Sequence, residues 1–210
     1  MLFVEFQNKF SRYPVIPVIE IEKAFPDFDH NALTRWQKKG YLEKVRSGFY
    51  RLASLPISGE IDRFFIANRI YAPSYISLQS ALWWYGFIPE GVFTVTSVTT
   101  RKTENFQTPA GHFTYRSIRR DLFFGYRMEK KEDFGVKMAD PAKALLDMLY
   151  LHPHLDSADH FFEWRLNFWE LKKKLSLQDF QRYLQLFASK SLEERAKNFI
   201  QFLNNHDVSG

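Results

Sequence analysis

The chain has 210 residues, 45% apolar and 18% aromatic, which excludes global disorder and suffices for one large domain or two small ones. It has no cysteine, so disulfides and thiolate metal sites are excluded and a reducing cytoplasm is the expected compartment. Its net charge of +5 leans toward polyanions, and without a run of about 18 apolar residues no membrane partner is expected.

MLFVEFQNKF opens the chain, and Glu5 and Lys9 interrupt its apolar residues, unlike a secretion signal. Leu2, Phe3, Phe6 and Phe10 instead recur at helical spacing and predict a helix over about 2–11. A second helix is expected over about 17–25, with Pro17 in its first turn and Pro26 ending it. A third is expected over about 30–39, with Asp29 as N-cap and Gly40 just past the end. Ala32, Leu33 and Trp36 form its inner face, leaving Thr34, Arg35, Lys38 and Lys39 outside. Short alternating strands, 42–46 and 49–52, flank Ser47-Gly48 and read as a hairpin.

Three helices and a hairpin make a winged helix-turn-helix pattern. Charge fits it: residues 31–52 carry six basic side chains and one acidic, whereas residues 1–28 carry three and four. In this reading Thr34, Arg35 and Lys38 face base edges, and Lys39, Lys44, Arg46 and Ser47 face phosphates. The competing readings are a solvated helix whose charge only confers solubility, and a protein-docking module.

SLPISGE, residues 54–60, reads as a linker. Helices follow in IDRFFIANRIY and over 76–88, the latter ending at Gly86. Strand patterns occupy 92–100, 112–118, 124–131 and 133–139. Asp140 and Pro141 then open a helix over 140–151, with Ala144, Leu145, Met148 and Leu149 on one face. Further helices are expected over about 158–174, 176–188 and 191–204, the last two capped by Ser176 and Ser191. The expected fold class is α+β. A winged helix-turn-helix spans 1–57, and an α+β domain spans 58–210 with a small, mostly antiparallel sheet and a helical C-terminal third.

A second basic surface is expected on that sheet, from Arg101, Lys102, Arg116, Arg119, Arg120, Arg127, Lys130 and Lys131. Nucleic acid, an acidic protein face or solvent alone would each suit it. Little points to catalysis. His152, His154, Asp156, Asp159 and His160 cluster metal-capable side chains, but Pro153 interrupts them. Glu129 and Lys131 have a Glu-x-Lys nuclease spacing, with Asp121 the nearest further carboxylate. No phosphate-binding loop or nucleophile elbow is present, so a non-enzyme without metal or cofactor is expected.

TRWQKKGYLEKVRSGFYRL, then YISLQSALWWYGFIPEGVFTVTSVTTRKT, then MADPAKALLDML, in that order, resemble AbiE-type antitoxins of bacterial abortive-infection systems over roughly residues 3–150. The resemblance implies a winged helix that represses its own operon by binding promoter repeats. It implies a second domain that counteracts a nucleotidyltransferase-like toxin, directly or functionally. By position, Thr34, Arg35 and Lys38 match the family's reading helix, and Lys44, Arg46 and Ser47 its wing. Relatives that act as transcriptional regulators without a toxin are the alternative.

Overall fold

A computed structural model describes residues 2–89, 91, 93–131 and 134–205. Val92 and Asp133, where two of the expected strands begin, lie outside the described residues.

The chain begins α1 (Phe3–Phe10), β1 (Ile16–Pro17), α2 (Val18–Ala24), α3 (Asn31–Lys38), β2 (Leu42–Arg46) and β3 (Phe49–Leu52). The three strands form an antiparallel sheet in the order β1-β3-β2. The helices bury their periodic apolar faces on one another. Phe6 sits 4.9 Å from Phe10 and 4.9 Å from Trp36, ring centroid to ring centroid. With Ile16, Ile21, Leu33, Leu42 and Leu52 these rings make a first core. α3 stops where Gly40 adopts φ +71°, a conformation costly for other residues. Its N–H donates to Gln37 and the Tyr41 N–H to Trp36, satisfying the last carbonyls of the helix.

The rest of the chain surrounds a larger core. α4 (Glu60–Ile70) leads into β4 (Ser74–Ile76), α5 (Leu78–Trp84) and strands β5 (Thr94–Thr99), β6 (Glu104–Thr108), β7 (Gly111–Ser117), β8 (Tyr126–Lys131) and β9 (Phe134–Ala139). Helices α6 (Pro141–Leu151), α7 (Ala158–Glu163), α8 (Phe168–Lys174), α9 (Leu177–Phe187) and α10 (Lys190–Asn205) complete it. The fold is α+β with a helical C-terminal third, as expected.

The sheet is larger than the small one expected, and its neighbouring pairs are mostly antiparallel, as expected. Among the described residues it has six strands in the order β6-β7-β5-β4-β9-β8. Three neighbouring pairs are antiparallel (β6–β7, β5–β4, β9–β8) and two are parallel (β7–β5, β9–β4). The unread strands explain the difference. β4 is three residues long, wholly buried and central, and β6 is a polar edge strand.

Side-chain caps open α6, α7, α8 and α9. The Asp140 and Ser176 side chains accept the expected N-terminal amide bonds, from Lys143 at 2.9 Å and Asp179 at 3.1 Å. Asp29 accepts from the Asn31 amide at 2.9 Å at the mouth of α3. Ser191 is a correction: α10 starts one residue before it, and Ser189 takes the Leu192 amide instead. Ser191 accepts from Arg195. The helix expected over 158–174 divides into α7 and α8, with Arg165 between them at φ +52°.

The two cores meet along 13–16 and the hairpin. Tyr13 packs against both, Ile16 belongs to the first, and Val15 and Val45 to the second.

Candidate nucleic-acid interface

α3 presents the residues its spacing predicts. Ala32, Leu33 and Trp36 are buried, and Thr34, Arg35, Lys38 and Lys39 are exposed. Lys44 on β2 and Ser47 in the hairpin turn are exposed as well. Lys38, Lys39 and Lys44 have no ion-pair partner among the described residues. Arg35 has one. Its guanidinium donates to the Asp29 carboxylate at 2.8 Å, and both side chains are more than half exposed, at 59% and 52%. That hydrogen bond holds Asp29 below the ordinary carboxylate value. An exposed pair of this kind contributes little to stability and yields readily to a competing anion.

Arg46 is turned the other way. The β2–β3 register shifts between Lys44 and Arg46, which breaks the alternation expected of the hairpin. Val45 enters the larger core, and the Arg46 guanidinium donates to the Ile70 carbonyl at 2.6 Å. It also lies 4.1 Å from the Phe106 ring centroid and 5.4 Å from that of Tyr71. Arg46 therefore fastens the hairpin to the six-stranded unit. Arg51 is buried, donating to Glu43 and to the Leu55 carbonyl. Among the described residues of α3 and the hairpin, the exposed cations without an ion-pair partner are Lys38, Lys39 and Lys44, with Arg35 available by exchange of Asp29.

The eight basic residues expected to form a second surface do not gather in one patch. β7, which carries Arg116, is separated from β8, which carries Arg127 and Lys130, by β5, β4 and β9. Arg116 donates to the Leu151 carbonyl. Arg119 pairs with Asp121, and Arg127 with Glu129. Arg101 donates to the Ala72 carbonyl at 3.3 Å and lies 4.3 Å from the Tyr71 ring centroid. Arg101 and Arg46 thus share one ring, and Lys102, held at its carbonyl by the Tyr71 hydroxyl, is exposed beside them. Arg120 and Lys130 are exposed. Lys131 is the last residue of β8, and its side chain lies outside the described ones.

The carboxylates weighed as nuclease ligands are engaged by arginines, Asp121 by Arg119 and Glu129 by Arg127. His152, His154 and His160 lie within 6.3 Å of one another in sequence order, ring centroid to ring centroid. Among the described residues no group of three histidine or carboxylate side chains is arranged to hold a metal ion. No described helix is long and apolar enough to cross a membrane.

Sequence reasoning missed the principal polar cluster. Lys143, Asp147, Tyr75 and Ser77 are fully buried under the sheet. Lys143 donates to Asp147 and, at 2.8 Å, to the Tyr75 hydroxyl. Tyr75 and Ser77 donate to the other Asp147 oxygen at 2.9 and 2.8 Å. Burial lowers the Lys143 ammonium from its ordinary value, and the Asp147 charge opposes that shift. Burial also raises the Tyr75 hydroxyl well above its ordinary value. A Cβ added to Gly125 would meet Lys143 Cβ at 2.9 Å, so only glycine fits over the lysine stem. Every hydrogen-bonding group of this network has a partner, and no atom faces solvent. It holds β4 to α6.

No protein-family model matches the chain, and no curated protein matches it in sequence.

Proposed function

We propose that the first 57 residues are a winged helix-turn-helix that binds duplex DNA, and that the chain represses its own operon. One observation carries the reading. A short helix exposes Thr34, Arg35 and Lys38 in a row, flanked by Lys39 and by Lys44 and Ser47 of the following hairpin. The order α1-β1-α2-α3-β2-β3 supports it, because it leaves α3 free along one side with the hairpin beside it. α3 would lie in a major groove, with Arg35 and Lys38 reaching guanine edges and Thr34 a thymine methyl. Lys39, Lys44 and the Ser47 hydroxyl would contact phosphates and set the register. Arg46 contributes by holding the hairpin at a fixed angle rather than by touching DNA.

The resemblance to AbiE-type antitoxins extends the proposal. The second domain would counteract a nucleotidyltransferase-like toxin, by contact or by opposing its effect, and the chain itself would be no enzyme. A regulator without a toxin is the second reading, favoured by the engagement of most second-domain arginines within the chain. The adjacent reading frame separates the two: a nucleotidyltransferase-like gene, whose toxicity this chain suppresses on co-expression, supports the first.

Fluorescence anisotropy of the protein on its own upstream DNA, against a shuffled duplex, tests the DNA half. Specific DNA is expected to bind tighter by roughly a thousandfold. The log–log salt slope is expected to be about −0.9 per phosphate neutralised. Arg35→Ala with Lys38→Ala should abolish the preference. A double variant that still prefers the upstream duplex would remove α3 from the reading role.

A further inference from the structure

The seam between the two cores is incompletely filled. A cleft of about 400 Å³ opens there between α1, α2 and β1 on one side and α4 on the other. Its volume falls in the range of small-molecule sites, roughly 300–1,000 Å³, and such sites favour junctions between folded units. Apolar groups line most of it: Phe10 and Ile16 from the first core, Val15 and Phe65 from the second, and Tyr13, which touches both.

Three of the five polar side chains of the cleft are cationic. Lys9, Lys23 and Arg69 face a single carboxylate, Glu20. Glu20 lies 3.4 Å from Lys23, so that pair is accounted for. Lys9 and Arg69 have no ion-pair partner among the described residues, and Arg69 lies with its guanidinium 5.1 Å from the Phe65 ring centroid. The lining contains no amide side chain, and its one hydroxyl is that of Tyr13.

We infer that this seam binds a small amphipathic carboxylate: an aromatic or branched hydrocarbon body in the cleft, with its acid group between Arg69 and Lys9. The charge balance selects an anion. The guanidinium fork of Arg69 suits the two oxygens of a carboxylate, and its position on Phe65 puts it at the border of the apolar floor. The scarcity of hydroxyl and amide groups selects a hydrocarbon body over a sugar or nucleoside, whose hydroxyls would lose water without gaining partners. An occupant would touch both cores at once. The site is independent of the DNA reading, since none of its residues belongs to the proposed DNA face.

Isothermal titration calorimetry of the full chain with phenylacetate, phenylpropionate and phenylbutyrate tests it, with phenylbutanol as the neutral counterpart. At least one acid should bind saturably, one per chain, and phenylbutanol should bind at least tenfold more weakly. Arg69→Ala should weaken the acid by roughly tenfold, the loss of a charge-assisted contact. Arg69→Lys should recover part of that loss. Exposed Arg69 is not part of either core, so the variant's melting temperature should match wild type and exclude unfolding as the cause. Absence of saturable binding by all three acids, equal binding of acid and alcohol, or an unchanged affinity in Arg69→Ala would each overturn the assignment.

Discussion

Two of the cation–aspartate pairs in the chain have opposite consequences. Arg35 and Asp29 meet on the surface of α3, both more than half exposed. Lys143 and Asp147 meet in the larger core with no exposure at all. Water and salt screen the first pair, so it contributes little to folding and its arginine can be taken by another anion. The second is shielded from water and saturated by Tyr75 and Ser77, so breaking it leaves a charge with nowhere to go. Charge in this molecule is available for binding where it is exposed, and it fixes the architecture where it is buried.

The sharpest way to break the contrast is Asp147→Ala. It strands the Lys143 ammonium and two hydroxyls, and is expected to cost about 3–5 kcal/mol in urea denaturation. Replacing both partners, Lys143→Met with Asp147→Leu, should be more stable than Asp147→Ala alone, because no charge is left behind. It should stay below wild type, because the Tyr75 and Ser77 hydroxyls lose their acceptor. A double variant as unstable as the single one would mean that packing, not charge, sets the loss.

Arg46 stands between the extremes, half-buried and bonded to a neutral carbonyl and two rings. Arg46→Ala should cost about 1–2 kcal/mol. It should also leave the salt slope of DNA binding unchanged, since its charge faces the sheet domain. A slope reduced by about one phosphate would place Arg46 on the DNA instead.

Asp29→Asn sharpens the surface side. Asparagine can still accept the Asn31 amide bond, so only the link to Arg35 is weakened. The unfolding midpoint should stay at the wild-type value, while affinity for the upstream duplex rises by roughly threefold as a like charge leaves the DNA face. Weaker DNA binding would mean that Asp29 orients Arg35 for reading rather than competing for it.

The two regions also differ in how far sequence reveals them. α3 was legible because its apolar residues repeat at helical spacing and Gly40 marks its end, so the exposure of Thr34, Arg35, Lys38 and Lys39 follows from periodicity alone. The role of Arg46 was not, because a register shift of one residue reverses the face a strand residue takes, and the shift leaves no sequence mark. β4 has three buried residues and so no alternation to detect, yet it pairs with both β5 and β9. The break between α7 and α8 falls at Arg165, where neither glycine nor proline announces it. The spacing of Lys143 and Asp147 does signal an i,i+4 pair. Its burial came from β4 and Gly125 arriving over that face, which only the tertiary fold supplies.

The smallest expected effect lies at the end of α6, where His152 is intermediate between the two regimes in exposure. Burial lowers its imidazole from the ordinary value of 6.5, with Arg116 and His154 acting in the same direction and the Met148 carbonyl opposing. The folded chain therefore takes up this proton at lower pH than the unfolded chain does. Between the folded value and 6.5 the unfolded state binds more protons, so stability rises with pH through that window and falls on acidification. His152→Gln removes the titration. Urea midpoints measured from about pH 7.5 down to about pH 5.5 should fall less steeply in the variant than in wild type. Parallel curves would show that the imidazole carries the same charge in both states, and that the acid sensitivity of the fold resides in other groups.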